Sequence, residues 1–187
     1  MSKIAYIDTE TGGVNPKVNP LLQTAIIVEI DNKVIGEHTF FSRPFDGEII
    51  EDQALEKNGL TREQISKFPP PHETYKKIIK LLNFYINKYD PLDKFVFAGY
   101  FCRFDADFIR EFFVKNDDLY YGSYFYPVLL DVASLIGAIL ARGLLSPMKS
   151  YKLVEVCKRY GVPLENAHEA MADIKATREL YLKIMGK

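Results

Sequence analysis

A short apolar run, Ile4-Ala5-Tyr6-Ile7, ends in Asp8-Thr9-Glu10. The run reads as a buried central strand, and strand alternation sends Asp8 and Glu10 to the same side. Like charges this close raise each other's pKa unless a cation neutralises both. A fold that places this tripeptide at the tip of an interior strand must therefore open the tip to water or bring a cation to it. Thr11-Gly12-Gly13 follows, and its glycines let another group approach the backbone. A strand followed by a Gly-rich turn also suits a phosphate loop, but no Gly-Lys-Ser/Thr is present to complete one. Two carboxylates repel a phosphate unless metal stands between them. The triplet is thus either a hard-cation site or a solvated strand end.

The next segments predict a sheet. Leu21 to Ile30 reads as a strand, Asp31-Asn32 as a hairpin turn, and Lys33 to Ser42 as the returning strand. Asp52 is the expected N-cap of a short helix stopped by Gly59, and Thr61 with Gln64 forms a capping box for another. Pro69-Pro70-Pro71 introduces a periodic helix with Tyr75, Ile78, Ile79, Leu82, Ile86 and Tyr89 on one face. Asp90-Pro91 is its expected end. Phe95 to Ala98 is a further buried strand, followed by a helix from about Phe104 to Val114. The aromatic stretch Tyr120 to Tyr126 leads into an edge strand through Leu130 and reads as either interface or core. Asp131 caps a helix with Leu135, Ile136 and Ile139 inward, stopped by Gly143. Ser150 is the expected cap of a helix ending at Tyr160. Asn166 with Glu169 starts the last helix, whose inward face is Ala176, Leu180 and Ile184. Strands followed by alternating helices and strands predict an α/β chain with a mixed sheet and helices on its faces.

At 187 residues the chain is expected to form a single domain, residues 1–187, and an apolar share of 48% supplies a large core. A net charge of −1 gives no global positive field for nucleic acid, although ions in a cleft can supply positive charge locally. Cys102 and Cys157 match no metal spacing and read as free buried thiols of a reducing compartment. No stretch is long and apolar enough for a transmembrane helix, and the first strand begins too early to leave room for a signal peptide. A cytoplasmic location, with no membrane partner, is the expectation.

Two further acids stand where burial should discourage them. Asp105 lies three residues before Phe108, four before Ile109 and seven before Phe112, so it heads an apolar stripe. It is either an N-cap or a buried carboxylate that needs a partner. Asp173 is three before Ala176 and seven before Leu180. With Asp8 and Glu10 these make four acids, and His168 stands just ahead of Asp173. Oxygen-only ligands select Mg²⁺ or Mn²⁺ over zinc. Four carboxylates can hold two such ions about 3.5–4 Å apart, an arrangement suited to in-line attack on phosphodiesters. A histidine beside them suits proton removal from water near neutral pH. His38, on an edge strand, and His72, opening a surface helix, read as ordinary.

Asp8-Thr9-Glu10-Thr11, Tyr100 to Asp105 followed by Phe108-Ile109, and His168 to Asp173 with four residues between the His and the Asp form an ordered set. Leu21-Leu22-Gln23, Ala54 to Ile65 with its Asn58-Gly59-Leu60-Thr61, and Ser150-Tyr151-Lys152-Leu153 link them. In these residues the chain resembles the DEDDh 3′–5′ exonucleases, the group containing the proofreading epsilon subunit of bacterial DNA polymerase, RNase T and oligoribonuclease. The resemblance runs from about Lys3 to Leu182.

The resemblance implies an RNase H-like fold, with a five-stranded mixed sheet flanked by helices. It implies a metal-dependent 3′–5′ exonuclease that releases nucleoside 5′-monophosphates by a two-metal mechanism. Asp8, Glu10 and Asp173 would hold one Mg²⁺ or Mn²⁺, Asp8 would bridge to a second that Asp105 reaches through water, and His168 would be the general base. Thr9, Thr11, Gly12 and Val14 would contact the terminal nucleotide. Phe101 stands where the family often has Asn, Gly12 where many members have Thr, and Val14 where Leu is common. Phe101 or Phe104 is a candidate to stack on a terminal base, worth about 1–3 kcal/mol, although Phe104 also reads as core. Lys152, with Arg142 and Lys149, could meet the substrate backbone.

The expected partner is a single-stranded 3′ end, with DNA favoured over RNA because no residue is assigned to 2′-hydroxyl readout. A DNA polymerase in trans is a further possible partner. An RNA exonuclease like oligoribonuclease or RNase T, and a non-catalytic nucleic-acid-binding module, are the alternatives.

Overall fold

The protein is described by a computed structural model covering residues 1–165 and 169–186. Five strands form one sheet: β1 (Lys3–Thr11), β2 (Leu21–Ile30), β3 (Lys33–Phe41), β4 (Phe95–Gly99) and β5 (Phe125–Asp131), in the order β3-β2-β1-β4-β5. β1 pairs antiparallel with β2 and parallel with β4, and β5 is parallel to β4. The sheet is therefore mixed, with β1 at its centre. The β1–β2 register shifts between Glu10 and Thr11, at the acidic tip. Such a bulge bends a strand and re-aims the side chains that follow.

Local rules account for much of this. Asp31 (φ 48°) and Asn32 (φ 65°) both adopt the left-handed conformation that a two-residue hairpin needs and that Asp and Asn tolerate. β2 is buried along nearly its whole length, so it carries no polar alternation, whereas the edge strand β3 alternates. Gly99 ends β4 because a Cβ there would lie 2.9 Å from the Ile7 carbonyl oxygen. Any side chain would push the end of β4 away from β1.

The helices are α1 (Asp52–Asn58), α2 (Arg62–Ser66), α3 (Pro71–Tyr85), α4 (Arg103–Lys115), α5 (Val132–Ala141), α6 (Leu153–Tyr160) and α7 (Ala170–Ile184). The Thr61–Gln64 capping box forms reciprocally, and Asp131 caps α5 through the Ala133 N–H. Gly59, Gly143 and Gly161 all sit in the left-handed region at helix ends.

Three expectations are corrected. Glu51, not Asp52, holds the N-cap position of α1. Lys152, not Ser150, holds that of α6, while the Ser150 hydroxyl accepts from the Lys152 N–H at 3.3 Å. α3 ends at Tyr85, so the exposed Tyr89 is not part of its apolar face. The Asn87 N–H donates to Asp93 and the Asn87 side chain accepts from the Tyr89 N–H, and these local bonds displace the helical pattern. The predicted helix start at Asn166 lies outside the described residues, and Glu169 holds the N-cap position of α7.

The two sheet faces have separate cores. Ala5 and Ile7 pack with Ile78 and Leu82 of α3 and with Phe108 and Phe112 of α4. Tyr121, Tyr124 and Phe125 join this layer, which assigns most of the aromatic stretch to core and leaves Tyr120 exposed. Tyr6 packs on the opposite face with Ala170 and Ile174 of α7. α5 and α6 extend that layer by packing Ile136 and Val156 with Leu180 of α7. Both cysteines are buried and free. A buried ion pair fastens α7 to β2: Arg178 donates from Nε and Nη2 to Glu29 Oε2, each at 2.7 Å. Among the described residues no helix is long and apolar enough to cross a membrane.

Candidate active site

Strand alternation divides the acidic tip. Tyr6 faces α7, and Asp8 and Glu10, two and four residues on, follow it to the same side. That side carries Asp173, in the first turn of α7. Thr9 turns the other way, toward α4, as Ile7 does. There the Asp105 carboxylate accepts two hydrogen bonds from Thr9, from its N–H at 2.9 Å and its hydroxyl at 2.7 Å. Asp105, only 5% exposed, is thus no N-cap. Its partner is the central strand, which it reaches because β4, parallel to β1, stops at Gly99 while β1 runs on to Thr11, so α4 begins beside the projecting end of β1.

One cleft of about 400 Å³ is walled by Asp8, Thr9, Glu10, Val14, Lys57, Tyr100, Phe101, Phe104, Asp105 and Asp173. The structure therefore gathers all four predicted acids from three distant segments. Their electrostatics record the crowding. Burial holds the Asp8 carboxyl well above the carboxylate range, and the charges of Asp105, Glu10 and Asp173 push it further. Glu10 rises to about 7, first through burial and then through Asp173. Asp105 also rises to about 7 through burial, despite the Thr9 hydrogen bonds that favour its ionised form. Among the described residues no three of these side chains are arranged to close on one ion as they stand. The donor set is nevertheless oxygen alone and carries more negative charge than its surroundings balance, which fits hard divalent cations. His168 lies outside the described residues.

The expected substrate contacts divide. Val14, 76% exposed, and Phe104, 40% exposed, both line the cleft, so Phe104 is not core. It leans on Phe108 with ring centroids 4.9 Å apart. Phe101 is 56% exposed and holds a left-handed backbone (φ 51°), a conformation that costs a non-glycine residue about 1–2 kcal/mol. The Asp131 carboxylate accepts its N–H at 2.9 Å, and Tyr100, whose hydroxyl donates to the Tyr151 carbonyl, packs edge-on against its ring. Lys152 is exposed and lines an adjoining pocket with Tyr100, Phe101, Leu153 and Val154.

Gly12 is displaced from the expected role. It is buried, its N–H donates to Pro20, its carbonyl accepts from Glu51, and Gly13 lines the pocket instead. A Cβ on Gly12 would sit 2.7 Å from the Pro20 ring, which is why a side chain is excluded there. The Thr9 and Thr11 hydroxyls line the pocket but donate inward, to Asp105 and to the Gly13 carbonyl.

Lys57 was missed by the sequence reading. It lies in the last turn of α1, and its charge lowers the pKa of Asp8, Glu10 and Asp105 alike. The available signal was a lysine immediately before Asn58-Gly59, in one of the linking phrases.

A mixed five-stranded sheet with two acids at the end of its central strand and two more brought to them by α4 and α7 defines a nuclease of the RNase H-like class. Residues 5–181 match the Exonuclease family (RNase_T), and the chain belongs to that family, in its DEDDh 3′–5′ exonuclease division. It is 26% identical over 193 residues to Ribonuclease T of Photorhabdus laumondii, covering 97% of this chain and 82% of that protein. Identity to Ribonuclease T of Shewanella baltica is 28% over 193 residues, covering 97% and 80%. The fold is shared with E. coli Exonuclease I, solved in complex with a dT13 oligonucleotide, at a TM-score of 0.80 and 24% identity over 99% of this chain. The chain spans 41% of that Exonuclease I chain.

Proposed function

We propose that the protein removes nucleotides one at a time from the 3′ end of single-stranded nucleic acid, releasing nucleoside 5′-monophosphates. The observation that carries this reading is the convergence of Asp8, Glu10, Asp105 and Asp173 on one cleft with Glu10 and Asp105 raised to about 7. Carboxylates buried together hold protons near neutral pH because burial and mutual repulsion disfavour their charged forms, and divalent cations would relieve that repulsion. Asp8, Glu10 and Asp173 would hold one Mg²⁺ or Mn²⁺, and Asp8 with Asp105 a second. Such ions, when bound, supply positive charge for the attacking and leaving oxygens.

The chain's own residues do the rest. Thr9 fixes the Asp105 carboxylate from the central strand, so Asp105 keeps its place as charge at the site changes. His168 takes the proton from the attacking water, in line with the 3′-oxygen that leaves. Phe101 and Phe104 present exposed aromatic faces to the terminal bases, and Val14 lines the same cleft. Stacking on such faces tolerates any base, as removal of nucleotides regardless of sequence requires.

DNA is the favoured polymer. The two hydroxyls at the terminal pocket, Thr9 and Thr11, already donate inward, so neither offers its proton to a 2′-hydroxyl. The relatives named Ribonuclease T make RNA the necessary second arm of the assay. The test uses 5′-labelled single-stranded DNA, RNA and mismatched duplex with Mg²⁺ or Mn²⁺. Stepwise shortening is expected, abolished by EDTA and by Asp8→Ala. Cleavage of a circular single strand, or shortening that survives Asp8→Ala, would overturn the reading.

A further inference from the structure

Two pockets meet at the acidic cleft. One is lined by Thr9, Glu10, Thr11, Gly13, Val14 and Phe104, the other by Tyr100, Phe101, Lys152, Leu153 and Val154 with Asp8 and Asp173 at its floor. Lys57 lines both, and it lines the cleft that joins them. In a polynucleotide chain, the linkage between two neighbouring nucleotides runs where their two pockets adjoin. We infer that Lys57 is a substrate-binding residue whose ammonium meets the charge of the scissile phosphodiester at this junction. The inference rests on the exonuclease reading above.

The local structure holds Lys57 there. Asn58 donates from Nδ2 to the Thr11 carbonyl at 3.2 Å, which pins the last turn of α1 to the end of β1. Gly59 closes that turn with its N–H on the Leu55 carbonyl. A cation also suits the carbonyl end of a helix. Glu51, at the other end of α1, donates its N–H to Gly12 and accepts from the Asn19 side chain. The helix is thus bound at one end to β1 and at the other to the loop that follows it.

Lys57 is exposed, and among the described residues no ion pair joins it to any of the four acids. Its charge nevertheless reaches three of them. It therefore faces the acids across open space instead of being locked onto one. Charge counting supports a phosphate in that space. Four carboxylates and two divalent cations cancel, which leaves the phosphodiester's single negative charge for Lys57 to meet.

The test compares wild type, Lys57→Met and Lys57→Arg, all checked for folding by circular dichroism. Oligonucleotides carry either a phosphodiester or an uncharged methylphosphonate at the last linkage. Binding is read by fluorescence anisotropy with Ca²⁺ in place of Mn²⁺, so that divalent charge still covers the acids, and kcat/KM for the phosphodiester is read with Mn²⁺. Lys57→Met should lower kcat/KM about tenfold or more, and Lys57→Arg should recover most of it. Wild type should bind the phosphodiester better than the methylphosphonate, and Lys57→Met should narrow that preference several-fold. Mn²⁺ affinity, from calorimetry, should not weaken in Lys57→Met. Wild-type kcat/KM in Lys57→Met overturns the inference, as does a preserved phosphodiester preference. Tighter Mn²⁺ binding with unchanged nucleic-acid binding also overturns it, because Lys57 would then be only a counterion of the acids. If the wild type itself ignores EDTA and Asp8→Ala, the exonuclease reading has failed instead.

Discussion

Glu10→Gln should abolish exonuclease activity and at the same time stabilise the metal-free protein. The substitution keeps the side-chain shape and removes one charge from the cluster. Glu10 titrates at about 7 in place of an ordinary 4.5, chiefly because it is buried and secondly because Asp173 stands near. That rise corresponds to about 3 kcal/mol at about 1.36 kcal/mol per unit. Water still reaches part of the side chain, and screening takes the expectation to about 1–2 kcal/mol. The sign follows from the higher folded pKa. Between 4.5 and about 7 the folded chain binds more protons than the unfolded chain, so its stability falls as pH rises through that window. Below the window both states are protonated and the penalty is absent; above it the penalty is complete. Urea unfolding in EDTA should show Glu10→Gln more stable than wild type at pH 8, with the gain shrinking at pH 5. Added Mn²⁺ should then raise the stability of wild type more than that of the variant at pH 8. A variant no more stable than wild type at pH 8, or one with the same difference at both pH values, would refute the crowding account.

Arg178→Met strips the partner from Glu29, which is 2% exposed, and should cost about 3–5 kcal/mol in urea unfolding. The pair Glu29→Leu with Arg178→Met should recover most of that loss, and equal instability of single and double variants would show that the charge is not what matters. His168→Ala should lower kcat about a hundredfold or more at pH 7 without changing Mn²⁺ affinity, and wild-type turnover would remove His168 from its proposed role. Phe101→Ala should weaken single-strand binding by about 1–3 kcal/mol, read as KM or anisotropy, and unchanged rate and affinity would sink the stacking role.

Wherever a feature depends on neighbours in the chain, the amino-acid sequence by itself determined it. β2, the Asp31-Asn32 hairpin, the Thr61–Gln64 box and the glycine stops at Gly59, Gly143 and Gly161 are written in local backbone preferences and short-range hydrogen bonds. The inward placement of Asp105 was legible too, because its distance from Phe108, Ile109 and Phe112 fixes its helical face. Where local rules competed, the reading failed: Asp52 and Ser150 are good caps, yet Glu51 and Lys152 hold those positions. Other features needed segments far apart in the chain to meet. Only the parallel pairing of β1 with β4 brings the Asp105 carboxylate to Thr9, replacing the N-cap reading with a bond to the central strand. Only the tie from Asn58 to Thr11 turns an ordinary lysine at a helix end toward four acids. Periodicity reports which face of an element is buried, but it carries no information about what stands opposite. Charge partners across a cleft are set by the packing of whole elements, and that was decided by the tertiary structure alone.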